Sequence, residues 1–397
     1  MGKRGHHSGQ TAIVGAASTG FSKLATQTPV QMASDVVAAA LADAGIERSE
    51  VDGLAVHIGS PRGTDYDLVA SLLGLQVRFS AQPWSHGRFA ATLIQQAAMA
   101  LTWGMADCIV CVASYNNTAY GRHGVATRPN FHENLREGGG PHGEAPHTGF
   151  SAPVIGAAMA SQRYFHQYGV TPEKLSTVAL TQRRHAQLNP DAAKRDDLSL
   201  EQYLNARYIA EPLRLFDCSV VVDGAAAIVM TRSDRARDTR SKPVYLLGAQ
   251  GIHAGTDEYI FGQPGLGVNQ SFVHDRPGAG ANHHVYEMAG VTPQDIDTLH
   301  IYDAFSPCVL WTLERFGFCA RGQAADWIQG GRIGLGGELP VNTSGGFLSE
   351  GQLNGWGQMI EIVRQLRGQA NARQIADVEL VQWATSIGDS IIFGKHA

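Results

Sequence analysis

Three stretches of this chain combine residue types and spacings that can carry acid–base chemistry. "IYDAFSP" sets Tyr302 beside Asp303, with Ser306 three positions on. "PWSHGRF" holds Trp84, Ser85 and His86, and "LSEGQLNGWG" holds Ser349, Glu350, Gln352, Asn354 and Trp356. Tyr302 can donate a hydrogen bond to a carbonyl, or take a hydroxyl proton if its pKa is lowered. The plainer reading is a buried tyrosine that satisfies a neighbour. His86 titrates in the range that suits proton transfer near neutral pH. Asp303 either brings charge to a site or caps the helix that follows. His123, His132, His142 and His147 show no compact metal-ligand spacing.

The run "VNTSGGFLSEGQLNGWGQMIE" packs Gly345, Gly346, Gly351, Gly355 and Gly357 into a short span before an apolar-periodic stretch. Glycine at this density marks a backbone that turns sharply or passes close to another group. Beside a helix N-terminus such a loop can present N–H groups to an anion, or to an oxygen on which charge develops. Close helix–sheet packing explains the same pattern equally well. The dinucleotide, P-loop and nucleophile-elbow glycine motifs are all absent.

The elements that must position these residues come from an internal repeat. "DAGIERSEVDGLAVH" (Asp43 to His57) overlays "MAGVTPQDIDTLHIY" (Met288 to Tyr302) without a gap. Val51-Asp52 matches Ile296-Asp297, and His57 matches Tyr302. In each copy a helical run ends in a glycine suited to a C-cap, and a polar link leads into an alternating strand. Downstream, each copy continues with glycine, long helix, turn and strand. Alternating strands and helices predict an α/β fold with a mostly parallel sheet, and the duplication predicts two similar sheets packed around helices. Ligands of such sheets sit beyond the carboxyl ends of the strands, here His57 and Tyr302. The expected organisation is an N-terminal half of residues 1–115 plus 216–240, an inserted loop domain of 116–215, and a C-terminal half of 241–397. "DGAAAIVMTRS" reads as the strand that closes the first half.

With 44% hydrophobic and 17% charged residues and a net charge of −5, the composition is that of an ordinary globular protein. No basic field is present to attract nucleic acid or an anionic membrane. No apolar run is long enough to span a bilayer and the N-terminus lacks a signal-peptide pattern, so a cytoplasmic location is expected. The five cysteines sit mostly in apolar runs, as reduced, buried thiols do. Cys108 and Cys111 form a C-x-x-C inside an apparent strand, where alternation sends them to opposite faces.

The duplicated layout, "PLRLFDCSVVVDGAAAIVM" and "IYDAFSP…NTSGGFLSEG" together resemble the thiolase superfamily, in its sterol-carrier-protein-type and lipid-transfer-protein branch. The resemblance covers nearly the whole chain. It implies a duplicated, five-layered αβαβα thiolase fold with an inserted loop domain, and a homodimer. The departures bear on activity. Trp84 stands where thiolases place the nucleophilic cysteine, Tyr302-Asp303-Ala304-Phe305 replaces H-D-C-F, Gly351-Gln352-Leu353 replaces G-H-P, and "QWATSIGDS" lacks the late cysteine. Removing nucleophile and base together removes the covalent route.

The pattern is most similar to thiolase-like aldolases of steroid side-chain degradation, which show Y-D-x-F and a loop like "SGG-x-LSEG". Members commonly carry tyrosine at the position of Gln352 and histidine near Asn354, and this sequence departs at both. The resemblance implies retro-aldol cleavage of a β-hydroxyacyl-CoA, with Tyr302, Asp303, His86 and Gln352 as the acid–base and donor set. Trp84, Gly345, Gly346, Ser349, Gly351 and Trp356 are expected to bind substrate, the loop N–H groups holding the thioester oxygen. The chain itself is expected to bind no cofactor or metal. A small zinc-ribbon/OB-fold partner would carry the zinc. Two other readings stay open: a non-catalytic acyl-CoA-binding subunit, and cysteine-independent acyl transfer through Ser85 or Ser349.

Overall fold

The computed structural model describes residues 4–22, 25–58, 65–83, 89–116, 153–251 and 284–397. The first half supplies β1 (Thr11–Ser18), α1 (Pro29–Ala44), β2 (Gly53–Ile58), α2 (Tyr66–Leu73), β3 (Phe79–Ala81), α3 (Phe89–Thr102) and β4 (Cys108–Asn116). The described part of the segment expected as an insertion holds α4 (Pro153–Tyr168), α5 (Pro172–Gln187), α6 (Leu200–Leu204) and the short pair β5 (Tyr208–Ala210) and β6 (Leu213–Arg214). β7 (Asp223–Arg232) and α7 (Ser233–Ala236) close that half. The second half holds β8 (Val244–Gln250), α8 (His284–Ala289), β9 (Thr298–Ile301), α9 (Ser306–Arg315), α10 (Ala324–Trp327), α11 (Trp356–Arg367), β10 (Leu380–Ala384) and β11 (Ser390–Gly394). No helix of the described residues is long and apolar enough to cross a membrane.

The strands run in the order β3-β2-β4-β7-β1-β8-β11-β10-β9. Inward from each end, the repeat is visible in the pairing. β2–β4 is parallel, as is β9–β10. β4–β7 and β7–β1 are antiparallel, as are β10–β11 and β11–β8. The duplication therefore does not yield two separate sheets. β1 and β8 pair antiparallel through Ala12 with Tyr245 and Ile13 with Val244, joining the halves into one nine-stranded sheet. Each of these strands would otherwise be an edge, and pairing them satisfies N–H and C=O groups that a buried edge would strand.

Matched residues of the repeat do matched work. Gly45 and Gly290, both with left-handed backbone, end α1 and α8. Asp52 accepts the N–H groups of Asp107 and Cys108 at the start of β4, both at 2.9 Å. Its counterpart Asp297 accepts those of Glu379 and Leu380 at the start of β10, at 2.7 and 2.8 Å. A carboxylate thus pins the neighbouring parallel strand in both halves. Gly15 on β1 and Gly248 on β8 let a helix press onto the strand: a Cβ there would collide with the carbonyl of Ala40 or of Val285.

Strand alternation divides the interior in two. One face packs on α1, α2, α8 and α9 through residues such as Val56, Val110, Leu247 and Ile301. The other packs on α3 and α11 through residues such as Ile109, Ile228, Trp383 and Phe393. Cys108 and Cys111 fall on opposite faces, as the alternation requires.

Candidate active site

Tyr302 leaves the carboxyl end of β9 with its N–H bonded to the Ala384 carbonyl at 3.0 Å. Its ring stands edge-on to Phe347, with centroids 4.7 Å apart. Gln352 arrives from the glycine run, its N–H bonded to the Val220 carbonyl at 2.8 Å. The Gln352 Nε2 faces the Tyr302 hydroxyl at 3.5 Å, and Gln352 Oε1 accepts a hydrogen bond from the Ser219 hydroxyl at 2.9 Å. Both Tyr302 and Gln352 are half-buried, so the pair lies at a boundary rather than in the core.

The glycine run owes its shape to packing. Left-handed backbone recurs at Asn342, Gly345, Gly346, Gly351, Asn354 and Gly355, and Gly346–Glu350 forms a π-helical turn. A side chain at Gly345 would strike Ala186 of α5 at 2.6 Å, and one at Gly351 would strike Val222 at 2.7 Å. At Gly346 it would enter the Asp303 carboxylate. The loop's backbone donors are largely committed as well. Gly345 N–H bonds Asn342, Ser349 N–H bonds Gly345, and Gly351 N–H bonds Gly346. Phe347 N–H goes to Asp303. The donors expected for a substrate oxygen are therefore spent inside the protein at these positions, and the Gln352 amide stands out as the side-chain donor beside Tyr302.

Asp303 does not cap α9, whose N-cap is Phe305 without a side-chain bond. It is fully buried, with both carboxylate oxygens 3.0 Å from the Phe347 N–H. Gln358 donates to it at 2.9 Å. Desolvation pushes its pKa up to about 7, against the pull of the Phe347 N–H. Asp303 thus anchors the π-helical turn beneath Tyr302. Gln358 extends the anchor, donating also to the Ile301 carbonyl at 2.5 Å and accepting from the Trp383 indole at 2.8 Å.

The cysteines offer no nucleophile. Cys108, Cys111 and Cys308 are buried, and Cys218 and Cys319 half-buried. Burial pushes Cys108, Cys218, Cys308 and Cys319 up to about 12, and Cys111 higher still. All five are thiols at neutral pH, and a thiol is a poor nucleophile.

Known proteins resemble this chain in sequence and in fold. A model described as thiolase C-terminal domain-like matches residues 269–392. A 17-hydroxy-3-oxo-4-pregnene-20-carboxyl-CoA lyase from Mycobacterium tuberculosis is 37% identical over 378 residues, covering 94% of this chain and 95% of that protein. A steroid side-chain-cleaving aldolase from Thermomonospora curvata is 36% identical over 374 residues, covering 93% of each. The chain belongs to the steroid side-chain-cleaving aldolases of the thiolase superfamily. The solved structure of an Ltp2-ChsH2(DUF35) aldolase superposes on this member of the family with a TM-score of 0.83 at 33% identity, over 98% of this chain and 99% of that one. An SCP2-thiolase-like protein from Mycobacterium smegmatis, at 16% identity and a TM-score of 0.67, shares the fold.

In this aldolase-family chain the remaining expected residues fall into two groups. Trp84, Ser85 and His86 lie outside the described residues, as do His123, His132, His142 and His147. Ser349 and Trp356 are buried. The Ser349 hydroxyl accepts a hydrogen bond from Arg183 Nε at 2.9 Å, a cationic donor rather than a base, so it is not built as a nucleophile. Trp356, expected to shape a pocket, is fully enclosed in the core around α3 and α11 because it opens α11 facing inward.

Sequence reasoning missed Ser219, Asn342, Gln358 and Tyr115. Tyr115 is buried at the end of β4, 5.3 Å ring to ring from His57. Desolvation holds it neutral, and also lowers His57 to about 4. Asn342 opens the glycine run and Ser219 lies in the "DCSVVV" stretch, but neither carries a local signal for its distant partner.

Proposed function

We propose that this chain cleaves a β-hydroxyacyl-CoA by a retro-aldol reaction, releasing a ketone and a shorter acyl-CoA. The observation that carries the reading is Tyr302 set against the Gln352 amide at the strand end, in a chain whose cysteines are all held as thiols. Retro-aldol cleavage needs a base for the β-hydroxyl and a donor for the enolate, and no covalent acyl-enzyme. Tyr302, as phenolate, takes the β-hydroxyl proton while the Cα–Cβ bond breaks. The electron pair moves onto the thioester as an enolate, which the Gln352 amide stabilises at its oxygen. The proton then returns from Tyr302 to Cα, so the cycle ends with the phenolate restored. The long 3.5 Å approach of Gln352 to Tyr302 is the kind of contact that is loose without substrate and tightens in the substrate complex.

The names of the two relatives support a steroid ring system on the CoA ester as the class of substrate. We assign the chain no cofactor of its own, the CoA thioester being substrate. The paired components in the name of the matched aldolase structure support a partner subunit. We take it to be a small zinc-ribbon/OB-fold protein that holds any zinc, with this chain as a homodimer in the cytoplasm.

The test is to incubate the chain, with and without that partner, with a steroid β-hydroxyacyl-CoA and to follow products by mass spectrometry. A ketone and a shortened acyl-CoA should appear, and Tyr302→Phe should lower kcat by roughly 10²–10⁴-fold. Binding without cleavage under both conditions would instead make the chain an acyl-CoA-binding subunit.

A further inference from the structure

We propose that Ser219 is a positioning residue for Tyr302, acting through the Gln352 side chain. The two bonds run in one direction: Ser219 Oγ–H to Gln352 Oε1 at 2.9 Å, then Gln352 Nε2–H toward Tyr302 Oη at 3.5 Å. Backbone contacts tie the ends of this chain together. Ser219 N–H bonds the carbonyl of Ala304, two residues past Tyr302, at 3.1 Å. Val220 N–H bonds the Phe347 carbonyl at 2.9 Å, and Gln352 N–H returns to the Val220 carbonyl at 2.8 Å. The segment carrying Ser219 is therefore registered against both the strand end and the glycine run.

A primary amide has two faces of opposite character. Turned one way it donates to Tyr302 and favours the phenolate. Turned the other, it presents Oε1, accepts the phenol proton and disfavours ionisation. A hydroxyl that donates to Oε1 holds the first orientation, and the donor chain strengthens as its terminal oxygen becomes negative. Among the described residues, Tyr115 and Asp303 are titratable groups near this oxygen. Tyr115 is coupled to Tyr302 and stays neutral. Asp303 turns its carboxylate to Phe347 and Gln358.

This inference rests on the reading of Tyr302 as the base, so its test measures Tyr302 directly. In protein labelled with 13Cζ-tyrosine, the Tyr302 resonance is the one lost in Tyr302→Phe, and its shift against pH reports ionisation without any substrate. Ser219→Ala should move the Tyr302 titration to higher pH and Ser219→Thr should restore it. Gln352→Glu should move it up as well, since a carboxylate offers the oxygen no donor. In turnover assays Ser219→Ala should lower kcat by about tenfold, the weight of one hydrogen bond to a charged group, with KM little changed. A Tyr302 titration that is the same in wild type and Ser219→Ala overturns the proposal, whatever the catalytic result. A shifted titration in a protein that cleaves nothing upholds the positioning role and sinks the aldolase reading instead.

Discussion

Asn342 pairs with Ile301 as a strand residue would, but with its side chain: Oδ1 accepts the Ile301 N–H at 2.7 Å and Nδ2 donates to the Ile301 carbonyl at 3.1 Å. The last residue of β9 is thereby fixed on its outer side, and Tyr302 follows it directly. Asn342 also has left-handed backbone, which asparagine tolerates better than most residues.

Asn342→Ala would leave the Ile301 N–H buried without this partner, while the Ile301 carbonyl keeps its bond from Gln358. The expected loss is about 1–3 kcal/mol of stability, the cost of one orphaned buried donor. Urea unfolding measures it. Asn342→Asp should fall between, because a carboxylate accepts the Ile301 N–H but cannot donate to its carbonyl. Equal stability of all three proteins would show that the pairing does not hold the strand end.

Buried carboxylates give this protein an unusual acid limb. Desolvation raises Asp303 from 3.8 to about 7 and Glu350 from 4.5 to about 8. A folded pKa above the unfolded one means the folded state holds the proton more tightly. Their contribution is therefore complete below about pH 4 and declines as pH rises toward 7 and 8. Asp303→Asn and Glu350→Gln should each flatten the fall in stability across that window. Asp52 has the opposite sign. Burial raises its pKa, but bonds from Cys108, Asp107 and Arg78 outweigh that and lower it, so its contribution is lost on acidification below the ordinary carboxylate range. Denaturation midpoints from pH 4 to 8 for wild type and the first two variants separate the effects.

Two glycines with left-handed backbone should respond differently to alanine. Gly336 has φ 81° and no atom within 4 Å of where a Cβ would lie, so Gly336→Ala costs only the backbone strain. That strain is about 1–2 kcal/mol. Gly346→Ala adds a collision with the Asp303 carboxylate and should cost more than about 3 kcal/mol, or prevent folding. Thermal melts of the pair decide it, and comparable losses would refute the close approach.

Thiol reagents should leave cleavage activity intact. With the cysteines held as thiols, brief iodoacetamide treatment at neutral pH is expected to modify little and to change kcat by less than about twofold. Rapid inactivation, protected by substrate, would point to a cysteine in the reaction.

Much of this molecule was legible in one dimension because its signals are local. Gly45 and Gly290 end helices by what glycine permits within one turn. Asp52 and Asp297 matched in the repeat before their shared role at the neighbouring strand was visible. Cys108 and Cys111 parted to opposite faces by strand periodicity alone. The motif that marked Tyr302 and Gln352 as a site is likewise a matter of residue type and order.

Tertiary structure decided what those residues touch. Asp303 reads as a helix cap or a catalytic acid from its neighbours, yet it is spent on Phe347, 44 positions away. Ser219 has no distinguishing context in the chain, and its partner Gln352 lies 133 positions on. The joining of β1 to β8 makes one sheet where the repeat alone implies two. Helix ends, strand faces and turns follow from bonds a few residues long, so the order of residues determines them. Which donor meets which acceptor across the core depends on how whole elements pack, and only the folded chain brings those atoms within reach.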